Sequence, residues 1–144
     1  MYLPDISLPE KMAFSTNIHI YINDLVGGLH VGNHTLVSYL NEAQMRFLTA
    51  LGFPTLIVDN AITFNNEIAV QYQREARYGD VLTVQAHIDP LEDRQYRIAY
   101  RIQNQHGKTV LTAQMGMVFV DQATGRRCDV PGAFRDAWSQ FTGT

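Results

Sequence analysis

The sequence predicts an α+β fold in which an antiparallel β-sheet of about five or six strands wraps around one long α-helix. Three observations carry this expectation. The stretch from His34 to Gly52 repeats apolar residues at helical spacing, nearly everything from Leu56 to Val130 reads as strand, and the links between strands are short and rich in turn residues. Short links favour antiparallel neighbours, because a parallel crossover needs about a dozen residues or more. The lone helix must bury its apolar stripe, and the sheet is the only surface on offer.

Leu3-Pro4 and Leu8-Pro9 open the chain, and a residue before proline is biased to extended backbone, so an irregular arm is expected over 1–13. Ile18, Ile20 and Ile22 alternate with Asn17, His19 and Tyr21, which predicts a first strand from Phe14 to Ile22. In the helical stretch Leu36, Val37, Leu40, Ala43, Phe47, Leu48 and Leu51 form one apolar face. Asn33 is placed to cap its start and Gly52 to stop it, with Pro54 beyond to prevent continuation.

The segments LIVDNAITF, EIAVQYQREARY, VLTVQAHID, QYRIAYRIQN and TVLTAQMGMVFVD supply the remaining strands. Asn65-Asn66, Tyr78-Gly79-Asp80, the group from Asp89 through Pro90 to Asp93, Asn104 to Lys108, and Ala123-Thr124-Gly125 are the expected turns. In YRIAYRI, Tyr96, Ile98, Tyr100 and Ile102 share an apolar face, while Arg97, Ala99 and Arg101 share the wet one. Met115, Met117 and Phe119, again at alternate positions, read as core. Phe134 and Trp138, spaced i and i+4, suggest a short helical turn before a tail over 135–144. At 144 residues the chain is expected to form one domain, 1–144.

Composition narrows the function. Hydrophobic residues are 46% and charged residues 17%, which suits a packed globular protein. A net charge of -3 with scattered Lys and Arg provides no basic stripe for nucleic acid. Cys128 is the only cysteine, so no intrachain disulfide can form, and His19, His34, His87 and His106 lack the carboxylate or cysteine company of a metal site. With no basic-then-apolar start and no apolar run of about 20 residues, a cytoplasmic protein without a membrane span is expected. No cofactor is expected either.

The chemistry concentrates in NDLVGGLHVGN, Asn23 to Asn33, between the first strand and the helix. Gly27, Gly28 and Gly32 fit neither GxGxxG nor GxxxxGK[ST], so no nucleotide cradle is read here. Strand, glycine-bearing loop, long helix and antiparallel meander together resemble the hotdog fold. In detail Asp24, Gly27-Gly28, His30-Val31-Gly32-Asn33 and Glu42 resemble, in order and spacing, the loop and helix start of hotdog acyl-CoA thioesterases of the 4-hydroxybenzoyl-CoA thioesterase type. RYGDVLTV and VFVDQATGRRCDVP resemble later segments of that family, so the likeness runs from about Phe14 to Phe134. One departure stands out. Many members carry Asp-x-Asp at the loop, the second being the one usually assigned to catalysis; those places here hold Asp24 and Val26.

The resemblance implies an acyl-CoA thioester hydrolase acting between subunits, hence a homodimer or homotetramer. The residues suit that chemistry. Thioester hydrolysis needs an activated water or a carboxylate nucleophile, and donors for the oxyanion. Asp24 and His30 would serve the first need, with Glu42 a third catalytic candidate that the resemblance supplies. Val31, Gly32 and Asn33, at a helix N-terminus with free N–H groups, would bind the carbonyl. Plainer roles exist for each: Asp24 as a turn cap, His30 as an interface residue, Asn33 as a helix cap, Glu42 as an exposed partner of Arg46. A non-catalytic acyl-CoA binding module is the alternative that Val26 suggests. A hotdog hydratase is the third reading, and the Asp-x-x-x-x-His dyad that those enzymes resemble is missing.

Overall fold

Alternating apolar residues build the sheet, and the helix lies across its inner face. The computed structural model describes Leu3, residues 5–89 and residues 91–144. Expectations that fall on Met1, Tyr2, Pro4 and Pro90 lie outside them. The strands are β1 (Phe14–Ile18), β2 (Leu25–Val26), β3 (His30–Val31), β4 (Ile57–Val58), β5 (Ala61–Tyr72), β6 (Leu82–Ile88), β7 (Gln95–Gln103), β8 (Thr109–Asp121) and β9 (Arg127–Cys128). The helices are α1 (Asn33–Ala50) and α2 (Gly132–Thr142).

The main sheet is antiparallel in the order β1-β6-β7-β8-β5-β4, with β9 added to β8, while β2 and β3 form a separate small hairpin. Tyr96, Ile98, Tyr100 and Ile102 of β7 stand in register with Met117, Met115, Ala113 and Leu111 of β8, and all are buried. Against them α1 buries Leu36, Tyr39, Leu40, Ala43, Gln44, Phe47 and Leu48. Each large apolar side chain so buried stabilises the fold by about 1.5–3 kcal/mol. This curled antiparallel sheet around one long helix is the hotdog fold.

Several boundaries differ from expectation, each for a local reason. The first strand ends at Ile18 rather than Ile22, because Ile22–Asp24 form a 3-10 turn closed by the Asp24 carboxylate on the Tyr21 N–H, 3.0 Å. Asn33 is the first helical residue, not the cap; Gly32 holds the cap position in extended backbone without a side-chain bond. LIVDNAITF is broken by a two-residue hairpin turn at Asp59 and Asn60, whose φ of 48° and 66° short polar side chains tolerate.

Asn65-Asn66 is not a turn. It is a β-bulge within β5, opposite Gly116, where an added Cβ would meet Asn66 Oδ1 at 2.9 Å. The C-terminal segment forms three turns of helix instead of one, because Phe134 is fully buried among Phe53, Tyr96 and Phe119, and Trp138 packs edge-on to Phe47. At the other end of α1 the stop is as expected. Gly52 adopts φ 102°, and the N–H groups of Gly52 and Phe53 close on Thr49 and Leu48.

Candidate active site

The 3-10 turn and the β2–β3 hairpin carry the chain from the sheet to the start of α1, and the residues singled out in the sequence cluster around them. Asp24 is half-buried. Its Oδ2 accepts the Tyr21 N–H at 3.0 Å and the Tyr39 hydroxyl at 2.7 Å. Tyr39 lies on the buried stripe of α1, and burial, followed by the hydrogen bond to Asp24 and its charge, pushes the phenol pKa well up. It therefore remains a donor across the ordinary pH range.

Asp24, Tyr39 and Glu42 line one pocket of about 300 Å³, together with Ser38 and Arg46. Glu42 is exposed and pairs with Arg46 at 3.0 Å, in the i, i+4 arrangement. Arg46 also donates to Thr16 Oγ1 and the Asn17 carbonyl, at 2.8 and 2.7 Å, and so fastens α1 to β1. Such an exposed pair contributes little to stability by itself.

His30, Val31 and Asn33 line a second pocket, of about 440 Å³, with Leu36, Tyr72, Gln73, Arg74 and Glu75. The two pockets flank one loop, since the Gly32 N–H points at the Asp24 carbonyl at 3.4 Å. Within the loop the backbone donors are unequally committed. The Val31 N–H donates to the Ala76 carbonyl at 2.7 Å, while the N–H groups of Thr35 and Leu36 close on the Gly32 carbonyl. Among the described residues, the N–H groups of Asn33 and His34 have no acceptor. They are the free donors at the positive end of the α1 dipole.

Gly32 is tightly surrounded. A Cβ there would meet His34 Cε1 at 2.9 Å and Val26 Cγ1 at 3.1 Å. Val26, where a second carboxylate would stand, is therefore packed beside the helix start. The sequence reading missed two contributors, the Tyr39 hydroxyl and the His34 backbone. Tyr39 lies outside the apolar face read from the sequence, although its spacing, three residues after Leu36 and four before Ala43, is that of the buried stripe, and nothing local marks its partner.

Among the described residues no three His, Cys, Asp or Glu side chains group as metal ligands, and no helix is long and apolar enough to cross a membrane.

Residues 22–138 match the thioesterase-like superfamily. No curated protein matches the sequence. Solved structures share the fold at low identity. A hypothetical protein from Staphylococcus aureus in complex with CoA is 17% identical with a TM-score of 0.83, over 96% of this chain and 89% of that one. A thioesterase from Thermus thermophilus, complexed with coenzyme A and Zn, is 20% identical with a TM-score of 0.81, over 94% and 98%. A 1,4-dihydroxy-2-naphthoyl-CoA thioesterase from Synechocystis is 18% identical with a TM-score of 0.78, over 87% and 94%.

Proposed function

The chain belongs to the thioesterase-like superfamily, and on that premise we propose that it hydrolyses acyl-CoA thioesters to free acid and thiol. The observation that carries this reading is the pair of unengaged N–H groups at Asn33 and His34, on a loop where Asn33 lines one pocket with His30 and a fixed carboxylate, Asp24, lines the other. In the proposed reaction Asp24 takes a proton from water as the water oxygen bonds to the carbonyl carbon. The oxyanion is held by the helix donors, with Asn33 in the carbonyl site. Collapse breaks the C–S bond, and the departing thiolate takes the proton back from Asp24, leaving acid and thiol in equal amounts. His30 contacts the substrate in the donor pocket, and Glu42 orders water in the Asp24 pocket. Val31 and Gly32 shape the approach to the backbone rather than donate to the oxyanion.

The two pockets are proposed to close into one site when a second copy of the chain adds its surface. Strand β5 supports that arrangement. From Thr63 to Val70 its outer edge has no strand partner among the described residues, and the strand exposes Phe64, Ile68 and Tyr72 at 48%, 47% and 45%. An unprotected edge of that length invites pairing with another chain. A homodimer or homotetramer is thus expected, and Ile68→Glu should shift the sedimenting species toward the monomer.

Thiol release from acyl-CoAs of graded length and aromaticity tests the activity. A second reading, acyl-CoA binding without turnover, is favoured by one observation: Val26 leaves Asp24 as the loop's only carboxylate, already accepting two hydrogen bonds. Tight binding of acyl-CoA with no thiol released would select it. The cytoplasm is the proposed location.

A further inference from the structure

Resting on the hydrolase reading above, we propose that Tyr39 is a positioning residue, whose hydroxyl fixes Oδ2 of Asp24 so that Oδ1 is the oxygen presented to the attacking water. Tyr39 occupies a core position in α1 and is only 6% exposed. Packing alone would be met by phenylalanine. The hydroxyl instead reaches out of the stripe to a carboxylate 15 residues earlier, at the wall of a pocket, with a 2.7 Å bond. The Tyr21 N–H reaches the same oxygen at 3.0 Å, and among the described residues Oδ1 has no partner.

This asymmetry has a chemical consequence. A carboxylate free to rotate about its last bond offers two equivalent oxygens in many directions, whereas one held by two converging donors offers a single oxygen in a fixed direction. A general base gains from that restriction, because proton transfer requires hydrogen-bond geometry to the water. Donors also favour the ionised form of a carboxylate, so withdrawing one makes it easier to protonate. The raised pKa of the Tyr39 phenol keeps this donor in place at every pH where the base works.

Steady-state kinetics over a pH range test the proposal on the full-length protein with its best acyl-CoA. Tyr39→Phe is expected to lower kcat about tenfold or more, as loss of a hydrogen bond to a charged group implies, with KM within about twofold. The acid limb of kcat/KM should move to higher pH. In the Asp24→Asn background the same change should cost no further rate, because Tyr39 acts through Asp24. Site-specific 3-fluorotyrosine at position 39, nearly the same size and a stronger donor, should move the acid limb the opposite way. That variant decides the matter if the phenylalanine variant does not fold. An unmoved acid limb in both, or rate losses that multiply in the double variant, overturns the positioning role while leaving the hydrolase reading standing. Absence of turnover by the unmodified protein overturns both.

Discussion

The Tyr39 hydroxyl lies 2.7 Å from Oδ2 of Asp24, joining the middle of α1 to the loop that leads into it. The bond crosses from core to pocket, so it contributes to stability as well as to the site. Asp24→Ala removes a hydrogen bond to a charged group at the wall of a pocket, a loss of about 1.5 kcal/mol, whereas Asp24→Asn keeps an acceptor oxygen. Thermal unfolding should therefore rank wild type above the asparagine variant, and that above the alanine variant.

Gly32→Ala probes the helix start without straining the backbone, since Gly32 has φ -67° and ψ 149°, open to any residue. Its Cβ would press on the tip of the exposed His34, which can swing away, and on a methyl of the branched Val26, which has to shift with its backbone. Tm should fall modestly while KM for acyl-CoA rises several-fold, as the donors at Asn33 and His34 are displaced. An unchanged KM would remove these donors from the carbonyl site.

Two buried tyrosines of β7 should respond oppositely to loss of their hydroxyls. Tyr96 Oη shares a 2.7 Å hydrogen bond with Thr63 Oγ1, but the Tyr100 hydroxyl is buried with no partner among the described residues. Tyr96→Phe should lower Tm, by about 1 kcal/mol in stability, and Tyr100→Phe should leave it unchanged or raise it. Paired thermal melts decide this.

His87 supplies the pH dependence. Its Nδ1 accepts the Ala13 N–H at 3.1 Å and its ring meets Trp138 edge-on at 5.0 Å. Burial lowers its pKa in the folded state, Lys11 adding to the effect and Asp89 opposing it. The unfolded chain then binds the proton more readily, so this contribution is complete above the unfolded value of about 6.5 and lost as pH falls toward the folded one. Tm should decline across that window in the wild type and decline less in His87→Gln.

Local pattern revealed the helix, the long strands and the stop at Gly52, because each depends on periodicity or on one residue's backbone preference. Features set by contacts distant in sequence were hidden. Asn65-Asn66 has the chemistry of a turn, and only the opposing Gly116, without a Cβ, turns it into a bulge. The tail looks able to form one helical turn, and becomes three because Phe134 finds Phe53, Tyr96 and Phe119. The loop was legible as a site of chemistry from Asp24, His30 and its glycines. Which N–H groups stay free was not, since that depends on Ala76 having claimed Val31.

The most direct measurement is thiol released per acyl-CoA consumed, by the wild type and by Asp24→Asn, on the best substrate of a graded panel. The wild type is expected to release one thiol and one free acid per thioester consumed, with a rate about 10²-fold or more lower in the variant, as loss of a general base implies. Saturable acyl-CoA binding with no thiol released, or equal rates in the two proteins, would contradict the proposed reaction.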